Sequence, residues 1–249
     1  MSKGRSVLIL GVQSLPEEKM QSFWALPQMA DMEVSVVNEA HRNLPEGRQA
    51  SRVFQMHPRD WREAERRYLN HGALPFNVDP DCFGRNKEHI EYLQKCGVSV
   101  YGQQVWPDIP TSVCYPFELV TEQVGIHLPP HGEQRLWATS SFAYMIALLI
   151  TEHLLGEKVR ELRLFSVELP LGTWRERTWE WPCFAYYLGL AKGLGIDVLL
   201  PLDGSSLLSA PHYALEGRPL PGDPDHWFAP SPATIIEDDG VYRLGAYEV

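Results

Sequence analysis

Thr139, Ser140 and Ser141 stand immediately ahead of the apolar run Phe142 to Ile150. Hydroxyl residues there can cap a helix and leave its first backbone N–H groups free, which together with the helix dipole suits a phosphate or carboxylate. Four further sets follow predicted strand ends: the turn Gly11 to Leu15, Asn38, His57 and Glu168, with the turn Asp203 to Ser206 after the last apolar run. Open α/β sheets bind ligands at the carboxyl ends of their strands, so one sheet would gather these positions together. The chemistry they offer is recognition of a nucleotide or another anion. His57 and Glu168 are the candidates for proton transfer.

Each of these residues also has a plainer role. Ser140 and Ser141 can serve only as a helix cap, Asn38 can close a turn, and His57 can bond a backbone carbonyl. Glu168 could hold ribose hydroxyls or a metal, or pair with Arg175 or Arg177. His127 and His131 flank two prolines on a non-helical segment, a spacing with little ligand geometry, and no metal site is expected. Trp174, Trp179 and Trp181 could stack a sugar or base, although packing is the commoner use of such residues. Arg59, Arg62, Arg66 and Arg67 alternate with Asp60, Glu63 and Glu65, as on a solvated helix face.

The elements that must position these groups follow from hydrophobic patterning. Val7 to Gly11, Val34 to Val37, Arg52 to Met56, Val98 to Tyr101, Leu162 to Val167 and Ile196 to Leu200 read as short buried strands. Helices are expected over Glu17 to Ala25, Trp61 to Leu69, Asn86 to Lys95 (closed by Gly97), Phe117 to Val124, the run after Ser141, and within Trp174 to Leu194. Residues 70–84 and the proline-punctuated WPDIPTSVCYP read as loops, and the segment DGVYRLGAYEV reads as a hairpin. Alternating strands and helices predict an α/β, Rossmann-like three-layer sandwich with a mostly parallel sheet and irregular loop insertions. The expected division is a nucleotide-binding domain over 1–211 and a loop-rich extension over 212–249 packed on it.

Composition narrows the function classes. The net charge of −10 opposes a general nucleic-acid surface, and the longest apolar run is too short to span a bilayer. The start MSKGRSVLILG lacks the apolar core of a signal peptide, so a cytoplasmic protein is expected. Four cysteines at 82, 96, 114 and 183 form no CxxC pair and read as free thiols.

Several blocks carry a resemblance: LGVQSL at 10–15, VVNEAH at 36–41, VFQMHPRD at 53–60, YPFE at 115–118 and TSSFAYMIALLI at 139–150, followed by LRLFSVEL and GSSLL. In these the chain resembles a set of phage-encoded Rossmann-like proteins. It is more remotely similar to bacterial CMP-sialic-acid-dependent sialyltransferases and to archaeal pterin pyrophosphokinase-like proteins. The resemblance implies that Gly11 and Ser14 belong to a donor loop, that Asn38 contacts a nucleotide, that Thr139 and Ser140 open the ligand-binding helix, and that Ser206 continues the pocket. Val12 and Gln13 depart from the sialyltransferase loop, Ser141 replaces its glycine, and Ser166-Val167-Glu168 replaces Gly-x-Asp. The catalytic histidine of that pattern has no counterpart in PLGTWRERTWEW. The expectation is a nucleotide-dependent transferase, a phage glycosyltransferase using a nucleotide-sugar donor and working in the host cytoplasm. DNA bases are one acceptor, which the acidic balance disfavours. The alternatives are a non-catalytic nucleotide-binding or phage accessory protein, and a magnesium- and ATP-dependent pyrophosphokinase.

Overall fold

A computed structural model of the chain describes residues 4–13, 15–60, 83–127, 138–167 and 180–200, with the backbone of two short strands at 235–238 and 241–244. Seven strands form one parallel sheet: β1 (Arg5–Leu10), β2 (Glu33–Val37), β3 (Arg52–Gln55), β4 (Ser99–Gly102), β5 (Ser112–Cys114), β6 (Val159–Phe165) and β7 (Asp197–Leu199). Their order is β5-β4-β3-β2-β1-β6-β7. The expected Rossmann-like α/β fold is therefore the fold adopted.

The burial of each strand follows its place in the sheet. Val7, Leu8, Ile9 and Leu10 of central β1 are fully buried, as a strand covered on both faces requires, whereas β7 at the edge leaves Asp197 and Leu199 exposed. β1 pairs with β2 from Val7 against Glu33 to Leu10 against Val36, and with β6 up to Leu10 against Phe165. Its two neighbours thus end beside it.

Among the described residues the α-helices are α1 (Glu17–Trp24), α2 (Lys87–Lys95), α3 (Phe117–Val124), α4 (Ser141–Leu154) and α5 (Trp181–Gly193). α2 carries a complete set of end signals: Asn86 accepts from the His89 N–H at 3.1 Å, and Gly97 follows the helix with φ +69°. α4 is buried around most of its circumference and packs on α3, α5, β2, β3 and β6. It is the crossover that carries the chain from one half of the sheet to the other. Right-handed crossovers then put α1 and α2 on one face and α3, α4 and α5 on the opposite face.

One strand departs from expectation. The loop WPDIPTSVCYP contains β5, whose three residues pair with β4 from Val100 against Ser112 to Gly102 against Cys114. Its brevity between prolines hides any periodicity. The preceding loop folds back so that the Trp106 ring lies over Gly102, where a Cβ would collide with the indole. The predicted helix at 61–69 and most of the predicted loop at 70–84 lie outside the described residues.

The chain divides into two compact units, Met1–Leu208 and Ser209–Val249. The second contains an antiparallel hairpin, β8 (Ile235–Asp238) with β9 (Val241–Leu244); only β9 falls within the segment read as a hairpin, and its partner strand lies ahead of it. Among the described residues no helix is long and apolar enough to cross a membrane.

Candidate functional site

Strands β2 to β5 step away from β1 on one side and β6 and β7 on the other, so the switch point of the sheet lies between β1 and β6. The turns that follow these two strands approach each other closely. A Cβ on Gly11 would lie 2.7 Å from the Ser166 carbonyl carbon and closer still to its oxygen, so this position admits only glycine without movement. The Gly11 N–H donates to Phe165 O at 2.9 Å and the Gln13 N–H to Ser166 O at 3.3 Å. Ser166 Oγ also donates to the Gln13 carbonyl.

Asn43, at the end of the segment that follows β2, braces this junction. Its Nδ2 donates to Gly11 O at 2.9 Å and Gln13 O at 3.0 Å, with Ser166 Oγ at 3.3 Å. α1 closes over the same place: Trp24 Nε1 donates to Asn43 O at 3.1 Å, and Phe23 stacks on Phe165 with ring centroids 3.5 Å apart.

Two residues flanking β1 adopt left-handed backbone. Asn38 directly follows β2 with φ +47°, and Ser166 directly follows β6 with φ +61°. They are the two non-glycine residues with positive φ among the described residues, and for serine this conformation costs about 1 kcal/mol. Such outliers cluster where a chain is shaped for a ligand. The Asn38 Oδ1 and Gln13 Oε1 atoms are both shielded from solvent and accept no hydrogen bond among the described residues. A buried carbonyl oxygen without a donor costs about 1–3 kcal/mol, which a ligand N–H or O–H would recover.

The hydroxyl trio before α4 is used differently. Ser140 is buried and is the N-cap, accepting from the Ala143 N–H at 3.1 Å, and Ser141 begins the helix. Thr139 hydrogen-bonds the Cys183 thiol on α5, and burial pushes that thiol's pKa up. Tyr115, after β5, donates its hydroxyl to Tyr144 O in the first turn of α4 at 2.8 Å. This end of α4 is thus tied to β5 and α5, whereas Gly11 and Asn38 are gathered at β1, β2 and β6. His57 lies two residues beyond β3, half-buried and with its own partner. Ser14, Glu168 and Ser206 lie outside the described residues, as do Trp174, Trp179, His131, Arg175 and Arg177.

A chain of polar side chains, not anticipated from the sequence, runs from the end of β3 to the surface. Gln55 Oε1 is 2.8 Å from His89 Nε2, and His89 Nδ1 is 3.1 Å from His41 Nε2. Gln55 and His89 are almost wholly buried; His41 is half-buried and stacks on Tyr92 at 3.7 Å. Burial, aided for His41 by the neighbouring His89, lowers both imidazoles to about 4. Asn86 joins this chain to Glu39 through Nδ2 at 3.3 Å. Next to it opens a cleft of about 530 Å³ lined by Glu39, Phe83, Arg85, Asn86, Lys87 and Glu88.

Other expectations resolve into packing. Trp181 sits in the first turn of α5 against Phe184, 6.1 Å between centroids, so its ring is part of the core rim. Arg59 forms an ion pair with Asp108, which holds that carboxyl below its usual range. Cys96, Cys114 and Cys183 are free thiols. The opposite end of the sheet is sealed by Arg5 and Arg52, shared between Glu33 and Glu152. Among the described residues no three His, Cys, Asp or Glu side chains cluster to hold a metal. Comparison of the chain with protein-family models, with curated proteins and with solved structures finds no match.

Proposed function

We propose that the protein binds a nucleotide at the carboxyl ends of β1, β2 and β6 and transfers a group from it. The observation that carries this reading is Asn38. It sits on left-handed backbone directly after β2, beside the glycine turn of β1, with a shielded Oδ1 that accepts nothing among the described residues. An acceptor held in that way suits the N–H of a base or the hydroxyl of a ribose. Gln13 Oε1, on the β1 turn, offers a second acceptor of the same kind. The position supports the reading too, since open α/β sheets take mononucleotides at this switch point.

The transferase half of the proposal, with a nucleotide-sugar donor, rests on the LGVQSL and TSSFAYMIALLI blocks and their resemblance to sialyltransferases. DNA is the less favoured acceptor because the chain carries a net charge of −10. One observation favours the non-catalytic alternative. The N–H groups of Gly11 and Gln13 are both given to the β6 turn, so this loop does not turn those two amides toward a diphosphate.

A thermal-shift panel of nucleoside monophosphates and nucleotide sugars tests the reading, because a ligand that binds the folded state raises its melting temperature. Stabilisation by at least one member, with slow hydrolysis of the matching sugar donor, is the expected result. Stabilisation without hydrolysis or transfer assigns the protein to the non-catalytic class. A panel without effect overturns the proposal.

A further inference from the structure

We propose that His41 is a specificity-determining residue of this nucleotide site, presenting its bare Nδ1 as a fixed hydrogen-bond acceptor because His89 and Gln55 lock its tautomer. The inference rests on the nucleotide reading and adds a residue to it.

An amide oxygen only accepts, so His89 Nε2 must carry the hydrogen that bridges to Gln55 Oε1. A neutral His89 then has its Nδ1 lone pair facing His41, and the hydrogen of the 3.1 Å contact belongs to His41 Nε2. That leaves His41 Nδ1 without a proton. Burial of both rings keeps them neutral at pH 7, so the sequence of donors holds. Stacking on Tyr92 with the planes 7° apart fixes the ring orientation. His41 belongs to the same six-residue segment, Asn38–Asn43, that supplies the Asn38 acceptor and the Asn43 brace. Two acceptors on one segment select a ligand edge that donates: the amino group of cytosine or adenine, or a ribose hydroxyl. The corresponding oxo bases, uracil and hypoxanthine, would set oxygen against nitrogen lone pair.

Two measurements test this. Nitrogen-15 NMR of the free protein at pH 7 reads the tautomer directly; the expected spectrum has His41 protonated on Nε2 and bare on Nδ1. Protonation on Nδ1 overturns the inference and leaves the nucleotide reading standing. His89→Gln should convert His41 into a tautomer mixture while the ring stays in place. The second measurement titrates CMP against UMP, AMP against IMP, and ribo- against 2′-deoxynucleotides. Wild type should prefer one donor-bearing member by roughly tenfold, and His41→Phe, which keeps the stack on Tyr92, should erase that preference. Binding with an unchanged preference in His41→Phe sinks the role of His41 alone. Binding of no nucleotide by wild type removes both readings.

Discussion

Gly11→Ala tests whether the β1 turn is built on contact with the β6 turn. The added Cβ would sit 2.7 Å from the Ser166 carbonyl carbon, against an ordinary separation of 3.4–4 Å, and it meets backbone that cannot swing aside. Relief requires separating the two turns, which strains the Gly11 to Phe165 and Gln13 to Ser166 hydrogen bonds and the three contacts of Asn43 Nδ2. Overpacking of this kind costs about 1–3 kcal/mol, and one weakened buried hydrogen bond adds about 1 kcal/mol. The expected loss is about 2–4 kcal/mol, which for a unit of this size lowers the melting temperature by roughly 5–15 °C. Gly189→Ala is the matched control, because Gly189 is an exposed helical position with nothing within 4 Å of the new Cβ. It should gain about 0.5–1 kcal/mol from helix propensity. Differential scanning calorimetry of both variants decides the matter. A Gly11→Ala protein that melts with wild type would refute the close approach of the two turns.

The brace and the buried charges make three further predictions. Asn43→Ala leaves the Gly11 carbonyl without its side-chain donor and the Gln13 carbonyl with Ser166 Oγ alone, and should cost about 2 kcal/mol in urea denaturation. Asn43→Asp, which sets a carboxylate against those carbonyls, should cost more at pH 7 than near pH 4. The histidine pair makes the fold acid-sensitive: both imidazoles titrate near 4 when folded and near 6.5 when unfolded, so the unfolded chain binds more protons between those values. The stability contributed by neutral His89 is complete above about pH 6.5 and is lost progressively as pH falls to about 4, roughly 3 kcal/mol in all; His89→Leu should flatten that slope in pH-dependent unfolding. Glu152→Gln leaves Arg52 with Glu33, and Arg5 with Glu33 and the more distant Glu157, and should destabilise by about 2 kcal/mol, read by chemical denaturation.

The central architecture was legible because its signals are local. Val7 to Leu10 is a continuous apolar run, Phe142 to Ile150 is too apolar for a surface helix, and Asn86 and Gly97 bracket α2 with ordinary capping chemistry. β5 was not legible, since three residues between prolines carry no period. At the site, Asn38 could be found as an asparagine at a strand end. Asn43 and Ser166 could not, because their roles arise from the register of β1 against β6, two strands far apart in sequence. The pairing of His41 with His89 likewise depends on α2 packing beside the segment after β2, and no spacing in the chain announces it. The hydroxyl trio shows the converse: its cap was readable from sequence, and the structure commits Ser140 to that cap and Thr139 to Cys183.

Isothermal titration of nucleoside monophosphates and nucleotide sugars into wild type and Asn38→Ala tests the proposed site most directly. Saturable binding by wild type, weakened about tenfold in an Asn38→Ala protein that melts as a folded domain, is the result the geometry predicts. Equal affinity in the two proteins, or no binding by either, would contradict it.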